Sequence, residues 1–333
     1  MTLGIFLGAT MKRREFIASS VTILAGMLSP RARAAAPWRI GQVFGGSSEI
    51  VSSSGLEQGL AALGYVDGKN IRLQTRFVAP HPNEMKGAIL ALLPDIDLLV
   101  VWGTIGAVAA KAAAPNIPVV FISVGAPVDI GLVESLAHPG GNMTGTTFEA
   151  ASETYGKRLQ LLKEILPELS RVAVIGAKGD PNVTFAMMSL GKSAPLMRIS
   201  LTSIEVGSVD DLTRAFEQMK RDRLEGLIAV AGAFTYANGK AIADLALANG
   251  VPSCHGFKET VAAGGLISLG PDLIALARQG ASFIDKIIQG ARPADLPVEQ
   301  PTRYVTSINL KTAKSLSLNL SPALLASADE VIE

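Results

Sequence analysis

The chain has 333 residues, of which 48% are hydrophobic and 18% charged, with a formal net charge of +1 and one cysteine. This length favours two domains, the near-zero charge without a Lys/Arg cluster argues against a nucleic-acid partner, and a lone Cys254 excludes an intramolecular disulfide and a multi-cysteine metal site. The mean hydropathy is +0.35, yet beyond the N-terminus no apolar run reaches the ~18 residues that span a bilayer.

The N-terminus (residues 1–36) is typical of an export signal rather than of a folded element. Residues 12–14, Lys-Arg-Arg, form a basic segment before a moderate apolar core, and a small-x-small cleavage site ends at Ala34. The paired arginines resemble a twin-arginine export signal. We expect cleavage after Ala34 and a soluble periplasmic protein. A signal retained as a membrane anchor, and a start at Met11 instead of Met1, are the alternatives that the sequence leaves open.

Short apolar strands alternate with helix-length segments in the first half of the chain. The predicted strands are residues 39–44, 71–77, 98–101 and 119–124, and the predicted helices are residues 50–63, 81–93 and 105–114. Strand, helix and strand in succession is the pattern of a parallel sheet that is covered on both faces. Residues 138–145, His-Pro-Gly-Gly-Asn-Met-Thr-Gly, form a cluster of breakers, which we interpret as the approach to a domain boundary.

The same alternation restarts after the breaker cluster. The predicted helices are residues 155–166, 185–197, 209–220, 238–248 and 271–289 with one more at the C-terminus, and the predicted strands are residues 171–175, 201–206, 226–230, 251–254, 266–269 and 304–308. The predicted fold is therefore α/β, with two doubly wound, Rossmann-like lobes joined by a hinge. We assign residues 37–145 plus about 257–290 to the N-lobe and 146–256 plus about 291–333 to the C-lobe, although the late elements fit either sheet.

No catalytic or cofactor motif stands out in the sequence. The three histidines are far apart and none has the spacing of a zinc site. Neither a Gly-x-Ser-x-Gly elbow nor a Gly-x-Gly-x-x-Gly loop occurs. Residues 186–193, Ala-Met-Met-Ser-Leu-Gly-Lys-Ser, fit a relaxed phosphate-loop pattern, but they lack a preceding strand and consist of good helix formers. We therefore predict a protein without enzymatic activity, cofactor or metal.

Several segments spread over the chain carry a resemblance to a known family. They are residues 59–70, 131–145, 156–167, 265–272 and 309–314. These segments resemble the periplasmic substrate-binding proteins of ABC importers, in the subgroup that includes tryptophan and tyrosine binders. The resemblance covers essentially the whole chain after the signal. It implies a type I periplasmic-binding fold, in which two lobes close on a small ligand by a hinge motion.

The resemblance also implies a function and partners. The protein would deliver a small ligand to an ABC permease with its ATPase, and would meet the membrane only through that permease. The resemblance suggests an amino acid as the ligand, with an aromatic amino acid as one candidate. However, the family often has an acidic residue where Ala126 stands, so ligand choice is expected to differ. The alternatives are a periplasmic ligand-sensing module or an enzyme on the same fold, and a transcription-factor effector domain without its DNA-binding segment.

The resemblance places ligand-binding residues in the loops that follow the strands of both lobes. In chain order these residues are Ser47, Ser48, Gly103, Thr104, Ser123 and Gly125 in the N-lobe, Asp180, Asn182, Phe234, Thr235 and Tyr236 in the C-lobe, and Glu259 near the return crossing.

Some of these residues also have a purely structural explanation. The helix start at Thr104 suits a ligand carboxylate, whereas a plain N-cap hydroxyl is the alternative. Phe234 and Tyr236 either cover a flat ligand or pack locally. Asp180 and Glu259 either hold a ligand ammonium group or are ordinary charges at loops and helix starts.

Overall fold

The computed structural model describes residues 36–46, 52–149 and 153–333. The expected export signal up to residue 35, together with Ser47 and Ser48, lies outside the described residues. Residues Pro37–Glu333 form one compact unit. None of the helices in the described part combines the length and apolar character that crossing a membrane requires.

The N-lobe is built on a five-stranded sheet in which all strands are parallel. Its strands are β1 (Trp38–Gly45), β2 (Ile71–Val78), β3 (Leu98–Trp102), β4 (Val119–Gly125) and β5 (Met143–Glu149), in the order β2-β1-β3-β4-β5. Its connecting helices are α1 (Ser52–Ala62), α2 (Pro82–Leu92) and α3 (Gly103–Ala113). Every residue of β3 is buried, because helices cover both faces of the central strand.

The C-lobe is built on a seven-stranded sheet. Its strands are β6 (Arg171–Ala177), β7 (Ser200–Val206), β8 (Gly226–Ala229), β9 (Ser253–His255), β10 (Ile267–Gly270), β11 (Val305–Asn309) and β12 (Glu330–Ile332). The order is β12-β11-β10-β9-β8-β6-β7, and only β10 and β11 pair antiparallel. The helices from here to the C-terminus are α4 (Glu153–Ile165), α5 (Pro181–Ser193), α6 (Val209–Arg221), α7 (Ala233–Ala237), α8 (Gly239–Ala248), α9 (Lys258–Ala262), α10 (Leu273–Ile288), α11 (Leu310–Ser315) and α12 (Pro322–Ser327).

The two lobes repeat one topology. In each lobe the first five strands along the chain have the order second, first, third, fourth, fifth, which is a doubly wound arrangement. The predicted α/β fold of two Rossmann-like lobes is therefore confirmed. In such sheets the loops at the carboxyl ends of the strands form the crevice, so both lobes contribute a wall to one site.

The chain passes between the lobes three times. The first passage follows β5 and the second follows β10, after which α10 packs on α1 of the N-lobe. This packing is close because a Cβ atom on Gly59 would lie 2.7 Å from Cβ of Ala281. The third passage precedes β11. The structure thus places β10 in the C-lobe sheet, whereas the sequence suggested that about 257–290 belong to the N-lobe.

Residues 138–145 lead into strand β5, which ends at Glu149, so the first passage between the lobes comes a few residues after the boundary at residue 145 that the sequence suggested. All residues of β5 are buried although three of them are threonines. The hydroxyl of Thr144 donates to the Leu296 carbonyl at 2.7 Å, and that of Thr147 donates to the Val124 carbonyl at 2.6 Å. Because their hydroxyls are paired, these threonines lie in a buried strand without the apolar run that would reveal it.

Helix α5 and the short late elements also differ from the expectation. The structure starts α5 at Pro181 rather than near residue 185, because the Asp180 carboxylate accepts a hydrogen bond from the Asn182 N–H and caps the helix. Helix α7 and strand β12 were not predicted, since both are too short to show a period.

Candidate functional site

A cavity lies between the carboxyl ends of the two sheets. Its free volume is about 60 Å³, or about 500 Å³ when the space open to solvent is counted. It is lined by Phe44, Gly45, Trp102, Gly103, Thr104 and Ser123 at strand ends of the N-lobe, by Phe148 at the end of β5, and by Gly232, Ala233, Tyr236, Phe257 and Leu273 from the second half of the chain. The mainly apolar lining with a few polar groups is that of a small-molecule site.

Aromatic rings dominate the lining of this cavity. On the N-lobe side Phe44 stacks on Trp102, with ring centroids 4.5 Å apart and an interplanar angle of 22°. On the opposite side Phe257 makes edge-to-face contacts with Phe148 at 5.7 Å and with Tyr236 at 5.5 Å. We call Phe44 and Trp102 the aromatic stack, and Phe148, Tyr236 and Phe257 the aromatic trio. Together the five rings give the cavity a mainly aromatic, apolar lining.

Helix α3 begins directly after β3, at the end of the strand that lines the cavity. The backbone N–H groups of its first turn have no partner within the helix. Gly103 opens the helix with a φ of 74°, a left-handed conformation that glycine adopts without strain. Trp102 is the N-cap residue and provides no side-chain cap. Its indole Nε1 is buried and has no hydrogen-bond partner among the described residues. Thr104 is therefore not the N-cap, and the alternative of a plain capping hydroxyl is wrong.

Thr104 instead connects the lobes. Its Oγ1 accepts a hydrogen bond from the Gly125 N–H at 2.9 Å and lies 2.9 Å from Nδ2 and 3.1 Å from Oδ1 of Asn182. Asn182 belongs to α5 of the C-lobe, and both Thr104 and Asn182 are buried. Gly125 has no side chain, and a Cβ atom there would lie 2.2 Å from Asn182 Oδ1. We call these three residues the interlobe latch.

Ser123 holds a strained position in the wall of the cavity. Its φ of 58° is left-handed, which is unfavourable for a residue other than glycine. The pairing of β4 with β5 shifts register between Phe121 and Val124, which is the irregularity of a β-bulge. The Ser123 N–H donates to Thr146 Oγ1 at 3.3 Å. Bulges and strained residues of this kind concentrate at functional sites, where they redirect a side chain.

One buried and one half-buried carboxylate, neither of them in the lining, stand close to the cavity wall. Asp180 is 5% exposed, and burial raises its pKa to about 6. A Cβ atom on Gly232 would lie 2.6 Å from Asp180 Oδ2, so the wall separating this carboxylate from the cavity is thin. Burial also raises the pKa of Glu259, one oxygen of which has no partner among the described residues. Burial and the nearby Glu259 charge together raise the pKa of the Tyr236 hydroxyl.

The structure brings together only part of the predicted site. Gly103, Thr104, Ser123 and Tyr236 line the cavity. Gly125 and Asn182 belong to the interlobe latch, and Asp180 and Glu259 stand behind the lining residues.

Two predicted residues have local roles instead. Phe234 packs in the C-lobe core, and the Thr235 hydroxyl donates to the carbonyls of Val230 and Gly232.

Most of the aromatic lining was not predicted from the sequence. The missed lining residues are Phe44, Gly45, Trp102, Phe148, Gly232, Ala233, Phe257 and Leu273. Trp102, Phe148 and Phe257 each stand at or just beyond the carboxyl end of a strand, and aromatic residues make up only 5% of the chain. A scarce residue type at strand ends is therefore the signal that could have identified them. Within the described residues no group of His, Cys, Asp or Glu is placed to hold a metal ion.

Comparisons with known proteins agree with this architecture. A tyrosine-binding protein of Clostridioides difficile is 24% identical over 268 residues, which cover 80% of this chain and 76% of that protein. A conserved domain protein from Vibrio cholerae superposes with a TM-score of 0.82 at 26% identity, covering 89% of this chain and 99% of the other. An ABC domain from Streptococcus pneumoniae, solved in complex with L-Trp, superposes with a TM-score of 0.83 at 21% identity, covering 89% of this chain and all of the other (100%).

The family model described as ABC transporter substrate binding protein matches residues 40–332, which is nearly all of the described chain. Two lobes of equal topology, a cavity between their strand ends and this match lead to one conclusion. The chain belongs to the family of ABC transporter substrate-binding proteins.

Proposed function

We propose that this protein is the exported binding component of an ABC import system and captures a small organic ligand between its lobes. The observation that carries the proposal is the cavity itself, whose wall is shared between the lobes. A ligand there contacts both lobes at once, so binding favours the closed arrangement over an open one. The names of two similar proteins, one a tyrosine binder and one a complex with L-Trp, support a ligand with an aromatic part.

Capture follows from the physical properties of the cavity. The aromatic stack and the aromatic trio remove a planar ligand from water, and the donors at the start of α3 orient its polar end. The interlobe latch then forms between α3 and α5 and holds the lobes together. The closed protein presents both lobes to a permease at once, which lets the membrane partner distinguish loaded from empty protein.

A screen by thermal unfolding tests the binding function. We expect one class among amino acids and small aromatic carboxylates to raise the melting temperature, because a ligand at a hundredfold excess over Kd stabilises the native state by about 2.7 kcal/mol. The variant Ala233→Trp fills the cavity and should lose the response. The variant Gly191→Ala, at a helix position with nothing within 4 Å, should keep it. The proposal fails if no small molecule shifts unfolding while the purified protein turns over an ester or phosphate.

Export is tested separately in cells. We expect the double variant Arg13→Lys with Arg14→Lys to stay in the cytoplasm, because the twin-arginine route reads the paired guanidinium groups. Fractionation of cells that carry the unaltered and the altered chain measures the distribution. Normal periplasmic accumulation of the variant would assign export to the general secretory route.

A further inference from the structure

We propose that Trp102 is a specificity-determining residue of the cavity, whose indole N–H binds a carboxylate of the ligand together with the first turn of α3. This inference rests on the proposed function and names a chemical group that the ligand of the same cavity carries. Three observations support it: an indole donor without a partner, the packing that holds its ring, and a helix start directly beside it.

The indole of Trp102 has an unused donor. Trp102 is the last residue of β3, lines the cavity and is 7% exposed. Its Nε1 is buried and has no hydrogen-bond partner among the described residues. A buried donor without a partner costs free energy, and most buried polar groups in folded proteins are paired. A ligand oxygen that accepts this hydrogen bond therefore regains free energy that the protein alone has lost.

Packing holds the Trp102 ring in place. The ring stacks on Phe44 with centroids 4.5 Å apart, and Phe44 stacks in turn on Phe77 at 5.1 Å. Trp102 also belongs to a buried cluster with Val100 of the same strand and Ile122 of β4. A side chain that is already held in one position loses little conformational entropy when a ligand binds. The indole donor is therefore pre-organised in the wall of the cavity.

The first turn of α3 adds further donors at the same end of the cavity. Gly103 and Thr104 follow Trp102 directly and also line the cavity. Helix α3 has 11 residues, and the backbone N–H groups of its first turn have no partner within the helix. The positive end of the helix dipole favours a negative charge there. Because indole and backbone N–H groups donate and cannot accept hydrogen bonds, this end suits a carboxylate, whose two oxygens accept several of them.

NMR of the indole N–H groups tests the inference directly. The chain has two tryptophans, so isotope-labelled protein gives one signal from Trp38 and one from Trp102, which Trp38→Phe assigns. The probes are the carboxylates L-tryptophan, L-tyrosine and 3-indolepropionate, with L-tryptophanamide as the match that lacks the anion. We expect a saturating carboxylate to move the Trp102 indole proton downfield and to slow its exchange with water, because the proton enters a charge-assisted hydrogen bond.

The outcomes separate this inference from the binding function. If a carboxylate saturates the protein and the Trp102 signal does not move, the inference is overturned and the binding function stands. An amide that binds as tightly as its acid also overturns the inference. Failure of every carboxylate to bind overturns both the inference and the function on which it rests.

Trp102→Phe keeps an aromatic ring and removes the donor. We expect it to weaken binding of L-tryptophan about tenfold or more and to change binding of L-tryptophanamide much less, because hydrogen bonds to a charged group are the stronger ones. Isothermal titration measures both affinities. Trp38→Phe is the matched control, since Trp38 is not among the described lining residues, and it should keep the original affinities. An equal loss for the acid and the amide would show that the ring acts by packing alone, and would overturn the inference.

A charge placed in the cavity wall tests the helix start. Ala233 lines the cavity, and a Cβ atom on Gly103 would lie 3.8 Å from its Cβ, so Ala233→Asp puts a carboxylate near the first turn of α3. We expect it to weaken binding of L-tryptophan at least about tenfold more than Ala233→Asn, which has the same size without the charge. Equal losses in the two variants would show that the ligand carries no negative charge at this end, and would overturn the inference.

Discussion

Thr104 lines the cavity and also has a role that the sequence did not suggest. The structure places its hydroxyl between the Gly125 N–H of the N-lobe and the Asn182 amide of the C-lobe. A hydroxyl both donates and accepts, so one small side chain completes a link that a valine of the same shape could not make. Since this link exists only when the lobes are close together, Thr104 affects ligand affinity through closure as well as through the cavity wall.

Replacing Thr104 by valine should weaken binding of the identified ligand about five- to tenfold, in line with a net loss of about 1 kcal/mol for a hydrogen bond and an unpaired buried amide. Isothermal titration measures the change. The matched control is Thr104→Ser, which keeps the hydroxyl and should stay close to the original affinity. If valine and serine bind the ligand equally well, the hydroxyl plays no part in the closed state.

The buried environment of Asp180 makes its titration differ from that of an ordinary aspartate. Its pKa is raised to about 6 by burial, whereas an unfolded Asp titrates near ~3.9. Between these two values the folded protein holds a proton that the unfolded chain has released. The free energy of unfolding therefore falls as pH rises through this window and levels off above it.

Asp180→Asn should remove this pH dependence, since asparagine caps a helix as well as aspartate does. We expect the stability of the variant relative to the original to rise between pH 4 and 7, by at most about 3 kcal/mol. Urea unfolding of both proteins over this pH range gives the difference. A constant difference across the range would mean that Asp180 titrates normally in the folded protein.

At the scale of elements, the lobe crossings are tied together by one buried ion pair. Glu149 ends β5 and its carboxylate accepts from Arg158 Nη1 of α4 at 2.9 Å, with both side chains at most 1% exposed. Arg158 Nε donates to the Leu269 carbonyl in β10 at 2.9 Å. The Tyr304 hydroxyl donates to the Phe148 carbonyl at 3.0 Å, just before β11. The pair thus links the segments at which the chain first enters and then leaves the C-lobe, and Tyr304 joins the last crossing to the residue before Glu149.

Glu149→Gln should destabilise the protein by about 3–5 kcal/mol, because it leaves the Arg158 guanidinium buried without its counter-charge. The double variant Glu149→Leu with Arg158→Met removes both charges and should recover more than half of that loss. Equilibrium unfolding in urea measures all three proteins. A double variant no more stable than Glu149→Gln would show that the two side chains do not act as a pair.

For the whole molecule, closure depends on how near the lobes can come. Gly125 stands at the point where β4 meets α5, and its missing side chain leaves room for Asn182 and for the ring of Phe148. The edge-to-face contact of Phe148 with Phe257 continues the same surface toward the cavity. Ligand affinity therefore depends on the contacts between the lobes as well as on the contacts with the ligand. Any free energy that closing the lobes costs makes the free energy of ligand binding less favourable.

Gly125→Ala should hold the lobes apart. Its Cβ would lie 2.2 Å from Asn182 Oδ1 and 2.9 Å from Phe148 Cζ, which are distances that atoms do not adopt. We expect ligand affinity to fall at least about tenfold, and small-angle scattering to show no ligand-induced decrease in radius of gyration. Gly141→Ala, where nothing lies within 4 Å, is the control and should close normally. A compact, tightly binding Gly125→Ala protein would contradict the latch.

Much of this protein was readable from short stretches of its sequence. The βαβ unit of β3, α3 and β4 was predicted almost to its observed bounds, because buried parallel strands are runs of apolar residues and the helix between them has a local period. Strand β5 was not predicted, because its threonines do not form an apolar run. They are buried only because their hydroxyls pair with distant carbonyl groups, such as the carbonyl of Leu296. The loops after strands that the sequence suggested for the site do line the cavity, but the sequence did not show which of their side chains do so.

The sequence by itself determined the alternation of strands and helices, the two-lobed α/β fold and the family, because these depend on residues close together in the chain. Only the tertiary structure decided which rings meet in the cavity, which residues latch the lobes, and that Glu149 and Arg158 are buried as a pair. Thr104 and Asn182 are 78 residues apart, and no local pattern specifies which residue lies opposite across a cleft. The packing of the whole chain decides which residues lie opposite each other, and the wall that these residues form selects the ligand.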